Sequence, residues 1–294
     1  MIRDALLLAV QFLRRAGIPQ PRLEAELLLA HVLEESTLRV ITHDERPLTP
    51  AQWETYQQVV RQRGSGYPLQ YITGRQEFMS LMFKVTPQVL IPRSDTEVLV
   101  ETVLALKGDF AGRPCRILDV GTGSGAIAVS LAFYWPEAQV TAVDLSPGAL
   151  AVARENARRH GVQVEWVQGD GLTPFLAAGR QFDLIVSNPP YIPSPQLSSL
   201  QREVQHEPAL ALDGGPDGLR FYRRLAGEAP GCLAPGGYLA LEIGWDQGEA
   251  VKVLLLAAGF QAVTVHPDYA GRDRVVTGRW PGGALSKRKE REPS

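Results

Sequence analysis

The stretch RILDVGTGSGAIAVSLA, residues 116–132, decides the fold. RILDV reads as a strand and Ala126–Phe133 as a helix, with three glycines between them. Gly121 permits a tight turn, Gly123 removes a side chain so that a ligand can approach the backbone, and Gly125 permits close packing of helix on strand. Thr122 and Ser124 complete the loop. A second strand, QVTAVDL (139–145), follows, and its Asp144 stands 23 positions after Gly121. A carboxylate there typically receives the ribose hydroxyls of an adenosine-containing ligand. A glycine turn that only serves packing explains the loop but not Asp144. Read as Gly121-x-Gly123-x-x-Ala126, the loop also fits the relaxed dinucleotide fingerprint, so the glycines alone do not choose the cofactor.

The alternation continues outward. Pro147–His160 is a helix, VEWVQG (164–169) a strand and FDLIVSN (182–188) a strand with almost no polar alternation, as expected where both faces are covered. A proline-rich stretch (189–216) precedes a helix over Leu219–Cys232, a strand YLALEIG (238–244), a helix over Gly248–Ala258 and two closing strands in 260–280. Strands and helices in alternation predict a mostly parallel α/β sheet covered on both faces, with one antiparallel strand inserted by the closing pair. Residues 1–66 are helical instead. Ala5, Leu6, Ala9, Val10 and Leu13 recur at helical spacing, a second helix is expected over Leu23–Glu35, and Thr49-Pro50 opens another. Residues 67–92 mix aromatic and β-branched residues with Gly74, Pro87 and Pro92, predicting a hairpin between the two parts. Ser94 and Asp95 are candidate caps of the next helix. Residues 93–280 form the expected catalytic domain and 281–294 a solvated tail.

Asn188-Pro189-Pro190-Tyr191 ends the fourth strand, at the carboxyl edge where open α/β sheets bind ligands. The two prolines fix the backbone and remove two N–H donors, leaving carbonyls free to accept from a substrate NH₂ group. Asn188 adds a side-chain acceptor, and Tyr191 an aromatic wall for a planar amide or base. An amide target poses one difficulty, since its nitrogen shares its lone pair with a carbonyl and must be aimed.

DVGTGSG, the acid after the next strand and NPPY together resemble the class I S-adenosylmethionine-dependent methyltransferases that act on adenine N6, cytosine N4 or a glutamine side chain. The resemblance narrows with PLQYITGRQEF (68–78), LIPRSDTE (90–97), DGGPDGLRFYRRL (213–225), LEIG (241–244) and GRDR (271–274), which occur in this order. The chain is similar to the PrmC/HemK family of release factor glutamine-N5 methyltransferases over about residues 2–280. That resemblance implies a Rossmann-like class I fold behind a small helical bundle, S-adenosylmethionine as cofactor with S-adenosylhomocysteine as product, and peptide chain release factors as substrates, methylated on the glutamine of their GGQ motif. It implies that Gly121–Gly125 line the methionine part, Asp144 holds the ribose, Asp170 and Gly171 edge the adenine, and Asn188–Tyr191 hold the target amide. Ser94 stands where the family has a second proline, and Gly171 where some members carry an aromatic. Arg93 and Glu97 are candidates to close over the cofactor, and Arg272, Asp273 and Arg274 either touch substrate or form an ion-pair network.

Composition sets the remaining bounds. The 294 residues carry a formal net charge of −2, which speaks against a surface that grips nucleic acid throughout. Glu24, Glu26, Glu34 and Glu35 in the helical part favour a protein substrate over the alternative, an adenine-N6 nucleic-acid methyltransferase, which would want a basic cleft and a recognition domain. Cys115 and Cys232 form no disulfide scaffold and have no metal-ligand spacing. No targeting or membrane segment is visible, so a cytoplasmic monomer without stable nucleic-acid binding is expected.

Overall fold

The computed structural model describes residues 1–282, so the expected tail at 281–294 lies almost wholly outside the described residues. Helices come first: α1 (Ile2–Arg15), α2 (Pro21–Leu33), α3 (Thr37–Thr42) and α4 (Pro50–Gly64). The helical stripe of α1 buries Ala5, Ala9 and Leu13 against Leu28, Leu29 and Tyr56. Thr49 caps α4 through a reciprocal pair: its hydroxyl accepts from Gln52 N at 3.2 Å, and the Gln52 side chain accepts from Thr49 N at 2.9 Å. The short helix α3 is new. It is capped by Ser36 and buries only Val40, too little for an apolar period to show.

The predicted hairpin over 67–92 is cut down at both ends. Leu69–Thr73 form a short helix, α5, ended by Gly74 at φ +71°. Strands β1 (Arg75–Phe78) and β2 (Leu81–Lys84) pair antiparallel across Met79 and Ser80, which both take positive φ. Residues 85–93 then run irregularly, turning at Thr86–Val89 (Val89 N donates to Thr86 O at 3.1 Å) and carrying Pro87 and Pro92, which cannot donate to a ladder. Tyr71, Val85, Val89 and Ile91 form a cluster of their own, and the Tyr71 hydroxyl donates to Val89 O at 2.6 Å. Ser94 and Asp95 do not cap as expected. They lie in a 3₁₀ turn that runs straight into α6 (Glu97–Ala105), and Asp95 pairs with Arg274 at 3.0 Å.

The catalytic part alternates as the sequence implies: β3 (Arg116–Val120), α7 (Ala126–Tyr134), β4 (Gln139–Asp144), α8 (Pro147–His160), β5 (Glu165–Gln168), α9 (Thr173–Ala177), β6 (Phe182–Ser187), α10 (Arg220–Cys232), β7 (Leu233–Glu242), α11 (Gly248–Ala257), β8 (Gln261–Pro267) and β9 (Asp273–Arg279). The sheet order is β5-β4-β3-β6-β7-β9-β8. All neighbours are parallel except β9, which is antiparallel to both β7 and β8. This is the mostly parallel α/β sheet with one antiparallel strand expected of a class I methyltransferase. Strand β6 is buried along its whole length: Leu184 and Val186 enter the core under α6 and α7, Phe182 and Ile185 the core under α10 and α11. That two-sided burial is why its sequence lacks alternation.

The helical bundle is tied to the catalytic part by charge. Arg63, 4% exposed, bonds Glu24 within the bundle and Glu203 in the loop after β6, the latter at 3.0 Å. Close by, Tyr67 meets His206 edge-on at 5.1 Å, and Glu207 accepts from Ile91 N at 3.1 Å while pairing with Arg93.

Candidate active site

Order in the sheet brings the predicted residues to one edge. Strand order reverses between β3 and β6, and the ends of β5, β4, β3 and β6 are consecutive neighbours. The carboxyl ends of these four strands carry Asp170–Gly171, Asp144, Gly121–Gly125 and Asn188–Tyr191 respectively. This switch point is where open sheets leave a crevice.

Three hydrogen bonds fix the crevice walls. Asp144 accepts from Gly123 N and from Ser146 N, each at 2.8 Å, so its carboxylate is fixed while one lone pair on each oxygen stays available. The Ser187 hydroxyl donates to Val120 O at 2.7 Å, fixing the exit of β6 against that of β3. The glycines split in role. Gly121 (φ +75°) and Gly123 (φ +56°) would carry a Cβ into open space, so the fold itself asks only for their backbone conformation, and the empty volume is free for a ligand. At Gly125 a Cβ would lie 3.0 Å from Ala153 and 3.4 Å from Trp166. Its close packing is therefore against helix α8 and the β5 side chain, not against a strand backbone. Thr122 and Ser124 are buried beneath the loop, and Asn156 of α8 donates to Ser124 O at 2.8 Å while gripping both backbone groups of Lys84 in the hairpin.

Asp119, at the end of β3, was not singled out from the sequence. It is fully buried, and its Oδ2 accepts from the Thr122 hydroxyl at 2.6 Å. Its Oδ1 is buried with no hydrogen-bond partner, an acceptor left for a donor from outside the chain. Burial pushes its carboxyl up to about 7. The signal was its place, the last polar residue before the glycine turn.

Asp170 and Gly171 are clamped. Arg224 of α10 donates to Asp170 Oδ1 at 2.6 Å and to Asp170 O at 3.0 Å, and its guanidinium lies 3.2 Å from where a Gly171 Cβ would be. An aromatic at 171 would displace that arginine.

The NPPY turn is buttressed by DGGPDG. Gly214 and Gly218 lie on the Tyr191 backbone, and a Cβ on Gly218 would fall 2.4 Å from Tyr191 O. Gln247 completes the brace, donating to Tyr191 O at 3.1 Å. Burial pushes the Tyr191 hydroxyl up to about 12, so the ring is a neutral wall. Asn188 is half-buried and its Nδ2 donates to Thr96 Oγ1 at 3.2 Å. Arg93 and Glu97, expected over the cofactor, have structural partners instead: Glu207 for Arg93, and Met79 N, at 2.6 Å, for Glu97. Arg274 belongs to an ion-pair network with Asp95 and, at 3.4 Å, Asp268.

A release factor glutamine methyltransferase of Moorella thermoacetica is 53% identical over 279 residues, covering 93% of this chain and 96% of that protein. The chain belongs to the release factor glutamine methyltransferase family. A second member, from Bordetella pertussis, is 48% identical over 88% of the chain and 94% of its own length. The family model described as PrmC N-terminal domain matches residues 4–74, and one described as Methyltransferase domain matches 117–206, a span that holds the glycine loop, Asp144 and NPPY. In fold, the chain resembles a 16S rRNA methyltransferase of T. thermophilus solved with AdoMet and guanosine, with a TM-score of 0.51 and 18% identity over 70% of this chain and 49% of that one. Among the described residues, no helix is long and apolar enough to cross a membrane.

Proposed function

We infer that the chain transfers a methyl group from S-adenosylmethionine to the side-chain nitrogen of the GGQ glutamine in peptide chain release factors. The observation that carries the reading is the half-buried Asn188 carboxamide beside the rigid Pro189–Pro190 turn, in a chain 53% identical to a release factor glutamine methyltransferase. The crevice suits the donor: the orphaned Asp119 Oδ1 and the glycine loop can take the methionine part, and Asp144 the ribose hydroxyls. Bound there, S-adenosylmethionine would supply an electrophilic methyl on sulfur.

The chain's own residues aim the nucleophile. One amide N–H donates to Asn188 Oδ1 and the other to the Pro189 carbonyl, which orients the nitrogen and stabilises the positive charge that develops on it. Tyr191 covers the amide plane and excludes water. The nitrogen gains the methyl as the methyl–sulfur bond breaks, leaving S-adenosylhomocysteine, and sheds one of its two protons to solvent as the product leaves. The helical bundle recognises the release factor and takes no part in transfer. Radiolabelled methyl transfer tests the reading, with purified release factor and duplex DNA offered side by side. Label in the release factor is expected. Label in DNA alone would replace this reading with adenine-N6 methylation.

A further inference from the structure

Two motifs remain without a role: the threonine of LIPRSDTE and the glutamate of LEIG. Both come to rest beside Asn188. Strands β6 and β7 are parallel, with Ser187 opposite Leu241, so the next residues, Asn188 and Glu242, leave the sheet side by side. Thr96 reaches the same point from the turn ahead of α6, which packs on β7 and β9. Thr96 is 4% exposed and Glu242 1%. Asn188 Nδ2 donates to Thr96 Oγ1 at 3.2 Å, and the Thr96 hydroxyl lies close enough to the Glu242 carboxylate to favour its charged form.

The direction of this chain of bonds follows from donor count. A carboxylate has no hydrogen to give, so towards Glu242 the Thr96 hydroxyl can only donate. The Thr96 oxygen can then only accept from Asn188, which must turn its NH₂ group inward. Its Oδ1, which makes no hydrogen bond among the described residues, is left facing out as an acceptor. A buried carboxylate is an expensive way to fill space, and Glu242 Oε2 has no partner at all. Arg274 offsets that cost only in part and gives Glu242 no hydrogen bond, its own pairs being Asp95 and Asp268.

We propose that Thr96 and Glu242 are positioning residues, which hold the Asn188 carboxamide with its oxygen towards the target amide. The proposal rests on the reading of Asn188 as the acceptor for that amide. It also gives a pH dependence. Glu242 is faced by Arg93, Asp95 and Arg274, by the Tyr191 ring and by Tyr222, whose hydroxyl donates to Glu242 O at 3.0 Å. Burial outweighs the two arginines and pushes its carboxyl up to about 7. Once protonated, Glu242 can donate to Thr96, the Thr96 hydrogen turns to Asn188, and the carboxamide flips to present its NH₂ group to another NH₂ group. Transfer then slows as pH falls through that range.

The test is single-turnover methylation of a release factor at saturating S-adenosylmethionine, from pH 6 to 8.5. Thr96→Val should be roughly tenfold slower, the loss of one hydrogen bond. Its cofactor affinity by calorimetry should stay within about twofold, and the slowing at low pH should be gone. Thr96→Ser restores the hydroxyl and should recover both rate and pH dependence. Thr96→Ala replaces the valine variant should that one not fold. Asp119 titrates in the same range, and the valine variant, which keeps Asp119, separates the two. A valine or alanine variant within twofold of wild type, or a serine variant as slow as valine, overturns the proposal. An inactive wild type would instead remove the glutamine reading beneath it.

Discussion

Asn188 holds one hydrogen bond inward and keeps one acceptor outward, which makes it the residue on which turnover should depend most. Asn188→Ala removes that acceptor and leaves the glycine loop untouched. Turnover should fall by ~10²–10³, the usual cost of one preorganised group, while cofactor affinity changes less. Single-turnover methylation beside a cofactor titration reads both. A rate within a few-fold of wild type would end the amide-clamp mechanism. Asp144→Ala is the complement. Its carboxylate holds Gly123 N and Ser146 N, and in the proposed site the ribose too, so calorimetry should show S-adenosylmethionine binding weakened about tenfold or more. Asn188, Asp144 and the glycines could be placed at one sheet edge from the sequence because each position follows from local chain geometry. Asp119, Thr96 and Glu242 were not, although all three lay in quoted motifs. Their significance comes from what they meet: an empty position beside Asp119, and a three-way junction of β6, β7 and the α6 turn.

At the scale of elements, the alternation of strands and helices could be read because most of them carry a period of their own. The brace behind NPPY could not. DGGPDG entered only as a motif of the resemblance, and only the fold shows Gly214 and Gly218 seated on the Tyr191 backbone. Gly218→Ala puts a Cβ on a residue at φ +75° and 2.4 Å from Tyr191 O, so the turn must move. A shift of that size at a positioned acceptor costs on the order of 10²-fold in turnover. Rapid-mix methylation should show that loss, with cofactor affinity kept because the glycine loop lies on another strand. Equal losses in both would mean that the brace supports the whole crevice. The hairpin misread at 67–92 has the same origin. Tyr71 and Ile91 were counted as strand alternation, but they face the same cluster against α8 from a helix and an irregular strip.

For the molecule as a whole, the join between bundle and catalytic part rests on Arg63, whose burial between Glu24 and Glu203 no local pattern reveals. Arg63→Ala leaves the nearly buried Glu24 unpaired and should cost about 3–5 kcal/mol by denaturant titration. A loss below about 1 kcal/mol would show the triad to be an ordinary surface pair. Protonation ties the stability of the chain to its crevice. Asp119 and Glu242 are both pushed up to about 7 from ordinary values of 3.8 and 4.5. The folded chain therefore binds protons there that the unfolded chain has already released. Stability from these groups is full below their unfolded values and is lost as pH rises through about 7. Lowering pH from about 8 to about 6.5 should then return about 1 kcal/mol per group. His31 and His266, which burial pulls below 6.5, act the other way, and only as pH nears 6.5. Carboxylates held low by arginine, such as Asp183 and Glu165, titrate far below this window. Asp119→Asn isolates one contribution, since the histidines and Glu242 are common to both chains. Its gain in Tm over that pH step should be smaller than wild type's by about 2 °C, given the enthalpy of a chain this size. Scanning calorimetry of both proteins at the two pH values measures the difference. Equal gains would mean that Asp119 is already ionised in the folded chain, with water supplying the partner that its Oδ1 lacks.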